Sequence, residues 1–393
     1  MADGAPRRQL GMFAPRKLGA ICLALLLGAC STVAPRGPTP VSKPPKTVEK
    51  PTPQTGLPED KERHRVALLV PLSGPNAAVG QSIANAAALA LADTGGKTLR
   101  ITNYDTGAGA DAAARKALAE GNELFLGPLL SDDVRAVSTS AGAAGVPVIA
   151  FSNDPAAASE DVWLLGFSPA QSIDRVVRYA KSRGLTRFAG LIPPGLYGRN
   201  ASNMLLRAAD AAGGTVVSMQ NYQRTPASIA AAIAKLPKDK YDAVLIADSG
   251  RIAIASAPLI RKNSGAAVRI LGTELWNAEP SLNNSPVLAG AWFASVDDSM
   301  FTQFTTRYRA RYGRTPYRLA SLGYDAVLLT VRISKDWKVG RRFPINALSD
   351  EGGFAGVDGA FRFAKSHIAE RALAVHQLGA GGGSIVSPAP TGF

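Results

Sequence analysis

From Arg65 onward, short apolar runs alternate with stretches of helical periodicity, and this alternation leaves few folds open. The first unit is the clearest. Residues 66–70 are an unbroken apolar run, which suits a strand buried on both faces of a parallel sheet. Pro71-Leu72-Ser73-Gly74-Pro75 is a cluster of breakers and predicts a loop. From 80 to 93, Ile83, Ala87, Ala90 and Leu91 recur at spacings of three and four, and Gly95-Gly96 stops the helix. In open α/β sheets the ligand crevice lies at the carboxyl ends of the strands, which places Ser73, Gly74 and Asn76 at a cleft. The start of the helix adds free N–H groups. A plain structural turn would use the same residues.

The pattern repeats. Apolar runs predict strands at 99–104, 123–127, 146–151 and 162–167, with helices at 112–120 and 134–144. A second series has strands at 188–192, 215–219, 243–246 and 268–272, with helices at 171–183, 201–212, 227–236 and 252–262. A strand follows at 289–296, helices at 301–312 and 319–334, and a strand pair at 356–363 and 371–377. Such alternation predicts mainly parallel sheets flanked by helices. Two series with a break near residue 168 predict an α/β fold of two lobes. Residues 379–393 are rich in Gly, Ser and Pro and read as a disordered tail.

The first thirty residues read as an address. Arg7, Arg8, Arg16 and Lys17 precede an apolar stretch at 18–29, too short to span a bilayer as a mature helix. It ends in Leu27-Gly28-Ala29-Cys30, which resembles a bacterial lipobox: residues 1–29 are then a signal peptide and Cys30 the lipidated first residue. An ordinary secretory signal or an uncleaved anchor is the alternative. Ser31 after the cysteine, by resemblance to Gram-negative lipoproteins, implies the periplasmic side of the outer membrane. Residues 30–61 carry eight prolines among Lys, Thr and Ser and read as a linker.

Composition excludes several chemistries. With two cysteines, Cys22 and Cys30, and three histidines, His64, His367 and His376, no Cys/His metal site is expected. Gly95-Gly96-Lys97-Thr98 resembles a P-loop fragment, but Leu91 stands where the first glycine is required. No Ser-x-x-Lys or Gly-x-Ser-x-Gly occurs. The pairs Asp132-Asp133 and Asp297-Asp298 read as solvated or capping residues. Neither an enzyme nor a cofactor is expected. The net charge is +14, or +11 without the leader, and fits acidic partners such as phospholipid or wall polymer. No basic block or aromatic-plus-basic stripe concentrates it, so nucleic-acid binding is not expected.

Several landmarks occur in a familiar order: Gly127-Pro128-Leu129-Leu130-Ser131, Val146-Pro147-Val148-Ile149-Ala150-Phe151-Ser152-Asn153, Tyr197-Gly198, Leu271-Gly272-Thr273 and Gly323-Tyr324-Asp325-Ala326. With the opening strand and loop, residues 64–378 resemble the type I periplasmic binding proteins of the branched-chain amino-acid receptor kind. The resemblance implies three crossovers, placed near 168, 273 and 345. The N-lobe would then be 62–168 with 274–345, and the C-lobe 169–273 with 346–378. It implies a cleft built from Ser73, Gly74, Asn76, Ser131, Asp132, Ser152, Asn153, Tyr197 and Asp248. Ser131, Ser152 and Asn153 would hold a carboxylate, but Asp132 would repel one. Ile252 aligns where an acid should hold the ammonium, with Asp248 as substitute, and Val79 replaces a ligand-packing aromatic. A constellation broken in this way predicts no stabilisation by free amino acids.

The ending Gly356-Val357-Asp358-Gly359-Ala360-Phe361-Arg362-Phe363, with Glu370-Arg371-Ala372-Leu373-Ala374-Val375, resembles the penicillin-binding protein activators. That resemblance implies a lipid-anchored regulator of peptidoglycan synthesis whose partner is a bifunctional penicillin-binding protein. The helical-repeat domain of the best-known members is replaced here by the Pro-rich linker. The alternative is a solute-binding lipoprotein of an ABC transporter, taking amino acids or similar small polar ligands.

Overall fold

A computed structural model describes residues 62–379 and 382–390. The leader, Cys30 and the linker at 30–61 lie outside these residues. The first series forms β1 (His64–Val70), α1 (Ala77–Asp93), β2 (Leu99–Asp105), α2 (Ala110–Ala119), β3 (Leu124–Leu126), α3 (Ser131–Ala144), β4 (Val148–Ala150) and β5 (Val162–Leu164). These strands make a parallel sheet in the order β2-β1-β3-β4-β5. Residues 66–70 of β1 are wholly buried, as expected of a strand covered on both faces.

The second series forms α4 (Pro169–Ser182), β6 (Arg187–Ile192), α5 (Gly195–Ala211), β7 (Thr215–Asn221), α6 (Pro226–Ala234), β8 (Ala243–Ile246), α7 (Gly250–Ser264), β9 (Arg269–Gly272) and β10 (Trp292–Ser295). The chain then returns to the first lobe as α8 (Ser299–Tyr312) and α9 (Ala320–Ser334). Phe304, Tyr308, Leu322 and Val327 on these helices join the first-lobe core with Val66, Leu68 and Ile83. β11 (Phe354–Gly356), β12 (Gly359–Phe363) and β13 (Ala369–Arg371) form a small antiparallel sheet. β14 (Ala374–Gly379) and β15 (Gly382–Ser387) join the second lobe, whose order is β15-β14-β10-β9-β8-β6-β7.

The two-lobed α/β architecture is as the alternation predicts, but the lobes divide elsewhere. The chain crosses at residues 165–168, 296–298 and 372–373, not near 273 and 345. Residues 274–288 are three short 3-10 turns that bury Trp276, Leu282 and Leu288 in the second-lobe core. They, and β10, therefore belong to the C-lobe. The small sheet belongs to the N-lobe because Phe354, Phe361 and Phe363 pack into its core. The expected strand pair 356–363 with 371–377 also fails. Phe361 pairs with Phe354 and Arg371, whereas Ala374 to Gln377 pair with β10. The tail is not wholly irregular, since β15 adds to β14 as an edge strand. Its backbone hydrogen bonds need no large side chains, so a Gly/Ser composition did not mark it.

A buried charge cluster ties the crossovers to the N-lobe. Arg318 donates to Asp298, beside the second crossover, at 2.8 Å and to buried Asp358 at 2.5 Å. Arg371, beside the third crossover, donates to the carbonyl of Leu165 on the first at 2.8 Å. Asp325 accepts the N–H of Val357 at 2.7 Å. Burial, and then the charge of Asp358, push the Asp325 carboxyl up to about 7. A carboxyl raised in the folded state stabilises it while protonated. That contribution is complete below about pH 4 and is lost as pH climbs through 7. Asp325→Asn is therefore expected to flatten the fall in urea midpoint between about pH 4 and 7. Identical slopes for the two proteins would show that Asp325 does not titrate in this window.

Candidate functional site

The lobes enclose a cleft of about 680 Å³ at the carboxyl ends of β1, β3 and β4. Its walls are mainly apolar: Val79, Leu129, Leu130, Phe151, Phe167, Leu275, Val296, Tyr317, Leu319 and Leu373 all face it. Phe167 and Leu373 sit on two of the crossovers, so the cleft abuts the hinge. Its polar contacts are few, notably Asn76, Asn153, Asn277, Ser295, Glu274 and Arg318. Among the described residues no cluster of three or more His, Cys, Asp or Glu could hold a metal ion.

Of the candidates read from the sequence, Asn76 and Asn153 line the cleft. Ser73 and Gly74 are exposed on the β1–α1 loop instead. That loop is fixed by Asp105, which accepts the N–H groups of Leu72 at 2.7 Å, Ser73 at 3.2 Å and Gly107 at 2.8 Å. Burial is the largest single influence and raises the Asp105 carboxyl, but the Ser73 hydroxyl and these backbone bonds together hold it below its usual range. Ser131 opens α3 and is half-buried, outside the lining. Ser152 is buried and accepts the N–H of Asp154 at 3.1 Å.

Asp132 does not threaten a bound carboxylate. It is exposed and paired with Arg135 at 2.6 Å, and Arg135 also holds buried Asp154 at 2.6 Å. Asp248 is a correction of the opposite kind. It is buried inside the C-lobe, where it accepts the Tyr222 hydroxyl at 2.7 Å, Arg224 Nε at 2.8 Å and the Ser249 N–H at 2.7 Å. An acid so paired is a structural knot and not a contact for a ligand.

The acid that does face the cleft is Glu274, which sequence reasoning passed over. It stands two residues beyond β9, in the position where strand-end loops of open sheets meet ligands. That position, just after the landmark Leu271-Gly272-Thr273, was the available signal. Tyr197 lies behind it, 2.9 Å from Thr273 Oγ1 and 3.0 Å from Glu274 Oε1. Ser172 donates its hydroxyl to the other carboxylate oxygen. Burial pushes the Glu274 carboxyl up, opposed by the two hydroxyls. Burial also pushes the Tyr197 phenol well up, so it stays a neutral donor. No Lys, Arg or His forms an ion pair with Glu274 among the described residues. Arg318, the other charged residue of the lining, is already paired with Asp298 and Asp358 and stacked on Phe301 at 3.8 Å. Val79 lines the cleft as a small aliphatic, and the aromatic surface comes instead from Phe151, Phe167 and Tyr317.

Comparison with known proteins agrees with this fold. The family model described as periplasmic binding protein matches residues 64–383. A putative branched-chain amino-acid ABC transporter protein of Rhodospirillum rubrum superposes with a TM-score of 0.72 at 21% identity, covering 82% of this chain and all of that one. LivJ of Streptococcus pneumoniae, solved with isoleucine, gives 0.62 at 18% identity over 83% of this chain and 100% of its own. A solute-binding protein of R. palustris, solved with benzoate, gives 0.62 at 20% identity over 84% and 97%. At these identities the likeness establishes the fold. An uncharacterised protein of Rickettsia prowazekii is 26% identical over 180 residues, 44% of this chain and 47% of that protein. The match thus spans about half the length of that relative.

Proposed function

The chain belongs to the periplasmic binding protein family, and from that premise we propose that it is a small-molecule receptor of the periplasm, working as the solute-binding proteins of ABC transporters do. Its ligand is mainly apolar and carries an amine. The observation that carries this reading is Glu274, a desolvated carboxyl facing a mainly apolar cleft whose one cation, Arg318, is paired with Asp298 and Asp358. Two hydroxyls bond the carboxyl but bring no counter-charge, and a ligand ammonium supplies it. Phe151, Phe167 and Tyr317 offer faces for an aromatic or branched side chain. Asn76 and Asn153 supply neutral donors for the far end of the ligand. Glu274 restores the acid that the sequence placed at Ile252 or Asp248, and so favours amino-acid-like ligands over the expectation of none.

The test is thermal stabilisation by leucine, isoleucine, phenylalanine, phenethylamine and benzoate. Amine-bearing compounds are expected to raise the melting temperature. Glu274→Gln should weaken their binding by about 10–100-fold, the worth of a hydrogen bond to a charged group. Stabilisation by benzoate alone, or an unaltered response in the variant, would overturn the amine assignment.

A second reading is the penicillin-binding protein activator, a lipid-anchored protein at the outer membrane acting by protein contact. One observation favours it. Leu130 and Tyr317, 41% and 51% exposed, give the cleft an apolar rim open to a partner. Capture from detergent-solubilised membranes separates the readings. A permease with its ATPase supports the receptor, and a bifunctional penicillin-binding protein supports the activator.

A further inference from the structure

The fold gathers positive charge at one place. The C-lobe stretch 168–296 holds 15 Lys and Arg against 7 Asp and Glu. The N-lobe stretches 62–167 and 297–373 are nearly balanced, with 20 against 19. Within the C-lobe, most of the excess lies at the amino ends of β6, β8 and β9, the end remote from the cleft. Arg183 follows α4, Lys238 and Lys240 precede β8, Arg261 and Lys262 end α7, and Arg269 opens β9. Lys181 and Lys235 flank them on α4 and after α6.

Exposed Asp210 and Asp239 share this end, so the protein offsets these charges only in part. At this end one ion pair forms among the described residues, Arg187 with Asp242 at 2.7 Å. Arg261 is held by carbonyls, those of Ala266 at 2.7 Å and Val268 at 2.8 Å. Arg269 donates to the carbonyl of Gly290 and lies over the Trp292 ring at 4.3 Å. Carbonyls and a ring face fix a guanidinium in place without cancelling its charge. Burial first, and then Arg261 and Arg183, lower the basicity of Arg269, which shows how closely the cations crowd. Arg183, Lys238, Lys240 and Lys262 are exposed around it.

We propose that this end of the C-lobe is a docking surface for an anionic phospholipid layer. Three observations favour headgroups over a single polyanionic strand. The cations are spread over four separate loops and helix ends. Neither the cleft nor the second cavity, which lies between the starts of α5 and α6, reaches them. They present ammonium and guanidinium groups, which meet a plane of phosphates without a groove. Attraction of this kind is worth about fivefold in affinity for each basic side chain near the lipid and decays within a Debye length. Because the cleft opens at the opposite ends of the strands, docking here leaves it free.

The test is cosedimentation of the full chain with vesicles of phosphatidylglycerol and phosphatidylcholine, and with vesicles of phosphatidylcholine alone. Binding to the anionic vesicles is expected, and should be lost between about 20 mM and 500 mM salt. The triple variant Lys238→Glu, Lys240→Glu, Lys262→Glu should bind at least tenfold more weakly, with an unchanged melting temperature showing that it is folded. Equal binding of variant and wild type would sink the proposal, since the leader, with Arg7, Arg8, Arg16 and Lys17, also favours anionic lipid and would then account for the binding; equal binding to both kinds of vesicle would sink it too. Binding to soluble polyphosphate with none to vesicles would assign the surface to a polymer instead.

Discussion

Replacing Arg371 with methionine is expected to cost the folded state about 3–5 kcal/mol at neutral pH, the range for removing one partner from a buried charge network. Arg371 ends β13 with its guanidinium buried between Phe167 at 4.6 Å and Phe361 at 5.2 Å. Its Nη2 reaches the Leu165 carbonyl, whereas Nε and Nη1 have no hydrogen-bond partner. Oδ2 of Asp358 is likewise without one. Charge more than hydrogen bonding therefore places this residue, and Asp325 and Asp358 are the groups it attracts. Without it Arg318 alone faces two buried carboxyls, and one of them must take a proton. The penalty should accordingly shrink as pH falls, because protonation then costs less. Urea denaturation at about pH 5 and pH 8 measures both effects. A loss below about 1 kcal/mol, or one that grows on acidification, would mean that the cluster does not hold the crossovers together. Phe167 stacks on Arg371 and lines the cleft, so the variant should also bind ligand more weakly.

Gly80→Ala should be nearly as damaging, although helix propensity alone would make it favourable by about 1 kcal/mol. Gly80 lies in α1 where the helix passes beneath the loop that leaves β1. A Cβ there would stand 1.8 Å from the carbonyl oxygen of Pro71 and 2.6 Å from its carbon. These are backbone atoms at the end of a strand paired on both sides, so they cannot swing away as a side-chain tip would. The helix must shift instead, carrying Asn76 and Val79 off the cleft wall. Overpacking of this kind costs about 1–3 kcal/mol, and a contact this short falls at the upper end or beyond. Gly74→Ala is the control. With φ of +74° and nothing within 4 Å of a new Cβ, it carries only the left-handed backbone cost of about 1–2 kcal/mol. If the two variants melt together, close packing under Pro71 is not what keeps residue 80 a glycine.

The contrast between these two glycines shows what could be read in advance. Pro71, Gly74 and Pro75 marked a loop, and the spacing of Ile83, Ala87, Ala90 and Leu91 marked the helix. Nothing local marked which glycine the strand end presses upon. The candidate site divides in the same way. Asn76, read from strand-end position, and Asn153, implied by the family resemblance, do line the cleft. Asp248 has that position too, yet it turns inward to Tyr222 and Arg224. Glu274, just beyond the next strand, faces the cavity.

What the sequence by itself determined was the order of strands and helices, the parallel two-lobed architecture and the loops that border the cleft. These follow from apolar periodicity and chain breakers, which are properties of neighbouring residues. Tertiary structure alone decided the rest. It sent 274–288 to one lobe and 354–371 to the other, since Trp276 and Phe361 bury in whichever core they meet. It chose which carboxyl found a cation and which was left facing the cleft. It also drew Arg183, Lys240 and Arg269, scattered along the chain, to one end of the C-lobe. Strands in parallel register place every amino end on the same side, and charges far apart in sequence become neighbours there.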